Sequence, residues 1–201
     1  MLHNWKEEYD QKLMTADEAV KLIQNGDNVY YPPFVMKVPE LDAALARRKD
    51  ELEDVKLVFA TLTYVPETVK ADPMGRHFRF TDGSFSAATR GIRKNRIPIF
   101  AVPSLYHETT RGYYTGLKNV QVVMIAASPM DKNGYFQLGI ASSNLVAMLR
   151  QHGGLEGDLK VLLEVNDKLP RVQGDNFIHV SDVTAVVEEA DSKPLSAIPP
   201  V

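Results

Sequence analysis

The chain has 201 residues, 23 basic and 26 acidic, for a formal net charge of −3, with 44% hydrophobic residues and no cysteine. That length suits one substantial domain with a single core, and the near balance of charge excludes nucleic acid or an anionic membrane surface as the expected main partner. The missing cysteines remove disulfides, thiolate metal sites and a cysteine nucleophile.

No stretch approaches the ~20 apolar residues of a bilayer span. Residues 1–10 are polar and acidic, without the apolar core of a signal peptide, so the expected location is the cytoplasm.

Trp5, Tyr9 and Leu13 recur at i, i+4 and i+8, which predicts a helix over Trp5–Leu13. Thr15-Ala-Asp-Glu18 has the form of a capping box, opening a second helix that Asn25-Gly26 ends. Val29–Tyr31 reads as a short strand stopped by Pro32-Pro33. Pro39–Leu52 reads as a helix with proline in its first turn, and Val55–Leu62 as a strand. Ser84–Asn95 is helical in pattern, interrupted by Gly91, and Ile97–Val102 is a short strand. Val120–Ala127 is an unbroken apolar run of the kind buried on both faces of a sheet. A helix over Ser143–His152, stopped by Gly153-Gly154, leads to a second such strand, Leu159–Val165, and then to shorter ones at Phe177–Val180 and Val183–Val187. Buried strands alternating with helices predict an α/β fold: a mainly parallel sheet covered by helices on both faces, Rossmann-like in plan.

Open α/β sheets bind ligands beyond the carboxyl ends of their strands. After the strongest strand comes Ser128-Pro-Met-Asp-Lys-Asn-Gly-Tyr-Phe-Gln-Leu-Gly139. Asp131, Gly134 and Tyr135 there mark either a tight turn whose aspartate caps itself or a loop lining a substrate site. After Leu159–Val165, Arg171 has the fork that grips a carboxylate or phosphate, and Asp175, four residues on, either pairs with it or joins it at a ligand. Ser84 is a candidate hydrogen-bond donor to a ligand, or a helix cap. Arg76-His-Phe-Arg79 is either an anion or phosphate contact or a solvated or subunit-facing strand, and Arg90, Arg93, Lys94 and Arg96 form either a phosphate contact or a solvated face. No dinucleotide, Walker, nucleophile-elbow or zinc-protease motif is present, and the five histidines lack metal-ligand spacing, so no metal is expected.

These loops resemble the acetyl-CoA hydrolase/transferase family, which includes 4-hydroxybutyrate and butyrate CoA-transferases. The segment from Ser128 to Gly139 is similar to the family's Ser-Pro-x-Asp-x-x-Gly-Tyr-x-x-Gly. Glu164-Val-Asn166, Pro170-Arg171, Gly174-Asp175 and Phe177–Asp182 match its next block, while Trp5–Lys12 with Thr15–Val20, Arg76–Arg79 and Val102-Pro-Ser-Leu105 fall where it places similar runs.

The resemblance covers essentially the whole chain and implies a CoA-transferase N-terminal domain over residues 1–201. It implies coenzyme A and acyl-CoA as substrates, transfer of CoA to a short-chain carboxylate, a second domain or subunit as partner, and a homo-oligomer. The family's nucleophilic glutamate lies in that second domain, beyond Val201, so no catalytic residue is assigned here. Asp131, Gly134, Tyr135, Arg171, Asp175 and Ser84 are the expected substrate-binding residues.

Two departures stand out. Pro32-Pro-Phe-Val-Met-Lys-Val38 replaces a small glycine-containing loop, and Lys94-Asn-Arg-Ile97 replaces an Ala-Asp-Tyr run. The first favours an alternative, a stand-alone non-catalytic module that binds a CoA ester or a protein.

Overall fold

The structure, a computed structural model, describes residues 4–103, 105–108, 119–142, 145–152 and 159–196. The predicted helix start at Ser143, the Gly153-Gly154 stop and Ser104 of the Val102–Leu105 run lie outside these. The strands are β1 (Asn28–Tyr31), β2 (Val55–Phe59), β3 (Phe78–Asp82), β4 (Ile99–Ala101), β5 (Val122–Ala127), β6 (Tyr135–Gln137), β7 (Lys160–Val165), β8 (Phe177–His179) and β9 (Ala185–Glu188). The helices are α1 (Trp5–Lys12), α2 (Ala16–Ala19), α3 (Pro39–Arg47), α4 (Glu67–Ala71), α5 (Ala87–Lys94) and α6 (Leu145–His152). Short 3-10 turns at Val20–Leu22 and Lys49–Glu51 carry α2 and α3 onward.

Seven strands pair in parallel in the order β4-β3-β2-β1-β5-β7-β9. Successive side chains of a strand point to opposite faces, so a strand covered on both sides must be apolar throughout, as β5 is. Its Val122, Met124 and Ala126 join the core on the side of α2, α3 and α5. Its Val123, Ile125 and Ala127 join the core on the side of α1 and α6. Each of the larger side chains among them, the valines, Met124 and Ile125, stabilises the fold by about 1.5–3 kcal/mol.

The edge at β9 is covered from the chain's own start. Leu13 bridges to Val186 in parallel, and the Met14 N–H donates to the Val186 carbonyl at 2.9 Å. The Thr15 capping box is formed: the Thr15 hydroxyl accepts from the Glu18 N–H at 3.3 Å, and the Glu18 carboxylate accepts from the Thr15 N–H at 2.9 Å.

Buried carboxyl groups fix the helix starts, because the first N–H groups of a helix have no partner within it. Asp42 accepts from the Glu67 N–H at 2.7 Å and from the Tyr31 and Thr68 hydroxyls, each at 2.9 Å, and so anchors α4. Burial raises its pKa against the opposing pull of those hydrogen bonds. Asp82, at the end of β3, receives the Thr89 hydroxyl and the Ser84 N–H and anchors α5. Asp72 takes the N–H groups of Arg76, His77 and Phe78 at 2.8–3.0 Å, setting the turn into β3.

Several expectations are corrected. Phe78–Asp82 is a strand inside the sheet, which the charges at Arg79 and Asp82 disguise: Arg79 points outward to Asp54, and Asp82 is buried as an anchor. The Arg76–Arg79 cluster consequently lies at the amino ends of the strands, away from the expected ligand edge. Ser84 does not cap α5; Ser86 does, its Oγ accepting from the Thr89 N–H at 3.2 Å. Phe177–His179 does not join the main sheet but pairs antiparallel with Tyr135–Gln137 in a separate ribbon, which lays Phe136 and Ile178 on the α6-side core.

Candidate functional site

Chain order runs outward from β1 to β4 in one direction and from β5 to β9 in the other. The reversal lies between β1 and β5, and in open α/β sheets ligands gather at the carboxyl ends of strands flanking such a point. The loops at that edge follow β1, β2, β3, β5, β7 and β9.

The loop after β1 is tightly built. Phe34 adopts a left-handed backbone at φ 58°, rare for a large side chain. Its N–H donates to the Thr61 carbonyl at 3.0 Å, and its carbonyl accepts from the Thr63 hydroxyl at 2.7 Å. Val35 and Met36 are buried, while the Lys37 ammonium sits 5.0 Å over the Tyr64 ring and 3.3 Å from the Ser196 hydroxyl. Lys37 forms no ion pair among the described residues. Ser84, exposed on the loop after β3, donates to the Thr61 hydroxyl at 3.0 Å, so the loops after β1, β2 and β3 are linked through Thr61.

A cavity of about 320 Å³ opens between the β1 loop and the segment after β9. Val35, Pro39, Leu169, Pro194 and Leu195 make it apolar, and Lys37, Asn166, Glu189 and Lys193 supply polar groups. On the other side of the sheet, cavities of about 410 and 420 Å³ share Tyr9, Pro129 and Glu188. Tyr9 donates to Glu188, and burial followed by that hydrogen bond raises the pKa of its hydroxyl.

Asp131 faces the 410 Å³ cavity, and its Oδ1 also accepts from the Asn133 and Tyr135 N–H groups at 2.8 and 2.9 Å. Gly134 packs under Trp5 and His179. Tyr135 is 44% exposed and stands edge-on to His179 and Phe177, beside a further cavity of about 280 Å³.

Arg171 is exposed, and the expected Arg171–Asp175 pair does not form. Both oxygens of Asp175 are taken by Arg150 of α6. A spacing of four brings side chains together only on a helix, and this segment is a loop turned at Gly174, φ 126°. Asp131, Gly134 and Tyr135 are thus together, Ser84 joins the β1–β3 loops, and Asp175 is held by Arg150, which lines the 280 Å³ cavity with Tyr135, rather than by Arg171.

Sequence reasoning passed over Glu164 and Glu189 as site residues. Glu164 is fully buried on the face that β7 turns toward α3, where it accepts from the Leu41 N–H at 2.8 Å and the Glu40 N–H at 3.3 Å. Burial, opposed by those bonds and assisted by the neighbouring Glu189 carboxyl, pushes its pKa up to about 9. A charged residue in the interior of an apolar strand buried on both faces was the available signal, since such a group needs a partner.

The parallel sheet, its reversal between β1 and β5 and the cavities at the carboxyl edge define an open α/β domain of the kind that binds ligands at such an edge. The model of the acetyl-CoA hydrolase/transferase N-terminal domain matches residues 2–199, and the chain belongs to that family. It is 36% identical over 195 residues to the probable butyrate:acetyl-CoA coenzyme A-transferase of Syntrophomonas wolfei, covering 96% of this chain and 41% of that protein. It is 33% identical over 202 residues to the 4-hydroxybutyrate coenzyme A transferase of Clostridium kluyveri, covering 98% and 43%. Among solved structures, RipA from Yersinia pestis superimposes with a TM-score of 0.85 at 26% identity over 99% of this chain and 46% of that one. The chain spans about two fifths of the length of the curated relatives it matches. Among the described residues no helix is long and apolar enough to cross a membrane.

Proposed function

We propose that this chain is the first half of a CoA-transferase, moving CoA between an acyl-CoA thioester and a short-chain carboxylate such as acetate, butyrate or 4-hydroxybutyrate. The observation that carries this reading is the family match over residues 2–199, together with relatives named for butyrate and 4-hydroxybutyrate CoA transfer. The carboxyl-edge loops hold the substrate, with Ser84, Asp131, Gly134, Tyr135, Arg171 and Asp175 as its contacts and Lys37 as a further cation. The nucleophile belongs to a second domain or subunit.

A glutamate carboxylate there attacks the thioester carbonyl and expels CoA thiolate, leaving a mixed anhydride. The thiolate attacks the glutamyl carbonyl of the anhydride and releases the first carboxylate, giving a glutamyl-CoA thioester. An acceptor carboxylate then reverses both steps. Electron pairs balance without a redox partner, and developing charge on each tetrahedral oxygen calls for positioned donors.

Exchange of labelled acetate into butyryl-CoA tests this. The purified chain alone gives no exchange, and joining it to the remaining part of a butyrate relative restores it. Turnover by the chain alone that survives replacement of each of its glutamates in turn contradicts the proposal.

A second reading has one observation in its favour: Val35 and Met36 fill the β1 loop that the family tends to keep small. On that reading the chain is a stand-alone module that binds a CoA ester or a protein without chemistry, and the joined protein stays inactive.

A further inference from the structure

Glu164 shares its face of β7 with Leu162, in a strand that is otherwise apolar after Lys160. Its two oxygens receive the N–H groups of Glu40 and Leu41, in the first turn of α3. β9 lies beside β7 with Val187 opposite Glu164, so Glu189, two residues beyond Val187, follows on the same face and its carboxyl group neighbours that of Glu164. Two neighbouring carboxyl groups withdrawn from water cannot both ionise without strong repulsion, which favours one proton held between them.

Glu189 accepts in turn from Asn166 Nδ2 at 2.8 Å, and the same nitrogen donates to the Lys193 carbonyl at 3.0 Å. Neighbouring groups therefore run from the first turn of α3, past Glu164 of β7, to residues 189–193. The β1 loop ends at that first turn. Both walls of the 320 Å³ cavity, the one carrying Val35 and Lys37 and the one carrying Lys193 and Leu195, adjoin these residues.

We propose that Glu164 and Glu189 share one proton and act as a positioning pair, holding the two cavity walls at the separation that admits a carboxylate ligand. The ligand class rests on the function proposed above; the shared proton does not. Removing the proton sets two like charges against each other, and the first turn of α3 parts from residues 189–193.

The charged and titratable groups around the pair come from every neighbouring element. Glu40 on α3 adds negative charge near Glu189. The Tyr64 hydroxyl, after β2, has its pKa raised by burial and by the charges of Asp42 and Glu164. Asp191 and Lys193, 3.6 Å apart, offset each other, and Lys37 faces the cavity. The first turn of α3 favours an anion at Glu164, whereas burial and the surrounding acids favour the neutral form; burial is the largest influence.

The test is carboxyl carbon NMR of the labelled chain across pH, with backbone amides followed in parallel. Glu164 is expected to titrate in the alkaline range, with the Lys37, Glu40 and Leu41 amides and those of residues 191–193 moving in step. In Glu164→Gln that alkaline transition disappears from the amides. Glu189→Gln, at a less buried position, lowers the Glu164 midpoint by removing its carboxylate neighbour, so the proposal stays testable if the first variant fails to fold. Titration of Glu164 in the ordinary carboxylate range, or amide transitions unchanged in both variants, overturns the proposal.

Butyrate serves as the ligand probe. Its affinity falls roughly fourfold between neutral pH and about pH 9.5, following the fraction of chains that keep the proton, and is flat across that range in Glu164→Gln. An equal fall in the variant overturns the positioning role. Butyrate that binds at neither pH, with the carboxyl and amide titrations as expected, instead removes the functional reading and leaves the pair standing.

Discussion

A Cβ on Gly134 would stand 2.6 Å from Nε2 of His179, with Trp5 ring atoms at 2.9 and 3.1 Å. Trp5 and His179 meet edge to face with centroids 4.3 Å apart, so neither ring is free to yield. The glycine is what lets the turn after β5 lie against the β8 strand.

Gly134→Ala is therefore expected to cost about 3 kcal/mol, from the left-handed backbone at φ 85° and the overlap with two rings together. Gly26 is the control: it has φ 80° but nothing within 4 Å of its Cβ position. Gly26→Ala should cost only about 1 kcal/mol. Urea unfolding of both variants separates crowding from backbone conformation, and equal losses would remove crowding as the cause.

Asp42→Ala leaves the buried Tyr31 and Thr68 hydroxyls and the Glu67 N–H without their acceptor. A loss of about 3 kcal/mol is expected, with α4 freed first. Hydrogen exchange should show the amides of residues 67–71 losing protection in this variant before those of β5 do. Uniform loss of protection across both would contradict an anchoring role.

Glu164 holds its proton more tightly folded than unfolded. The stability this contributes is full below its ordinary value of 4.5 and is lost as pH rises toward about 9. The slope is up to about 1.4 kcal/mol per pH unit, and the raised Glu189 acts with the same sign. Thermal unfolding of the unaltered chain should weaken from mildly acidic to alkaline pH, and Glu164→Gln should flatten the profile. Parallel profiles would place the pH dependence elsewhere.

Much of this was legible in the sequence, for identifiable reasons. β5 and β7 are buried on both faces, so their apolar runs admit little else, and the Thr15 box is a local motif whose hydrogen bonds depend on neighbours in the chain. A strand was one reading of Arg76–Arg79, but the extent of β3 to Asp82 and its place inside the sheet were hidden because its polar residues have long-range tasks: Arg79 reaches Asp54, and Asp82 receives Thr89. β6 lay concealed in a turn-rich segment because its pairing partner, β8, is distant in sequence. The candidate site suffered most from this. Glu164 and Glu189 meet only because β7 lies beside β9, and Asp175 finds Arg150 rather than Arg171 for lack of a helix between the last two.

The central claim is that the carboxyl edge of this sheet receives an acyl-CoA ester. Hydrogen-exchange mass spectrometry of the chain with and without saturating butyryl-CoA tests it most directly. The account predicts added protection in the loops after β1, β2, β3 and β5, including residues 32–38 and 128–135, with the turn at residues 72–77 unchanged. Protection confined to the amino-end turns, or no protection at the carboxyl edge despite measured binding, would contradict it.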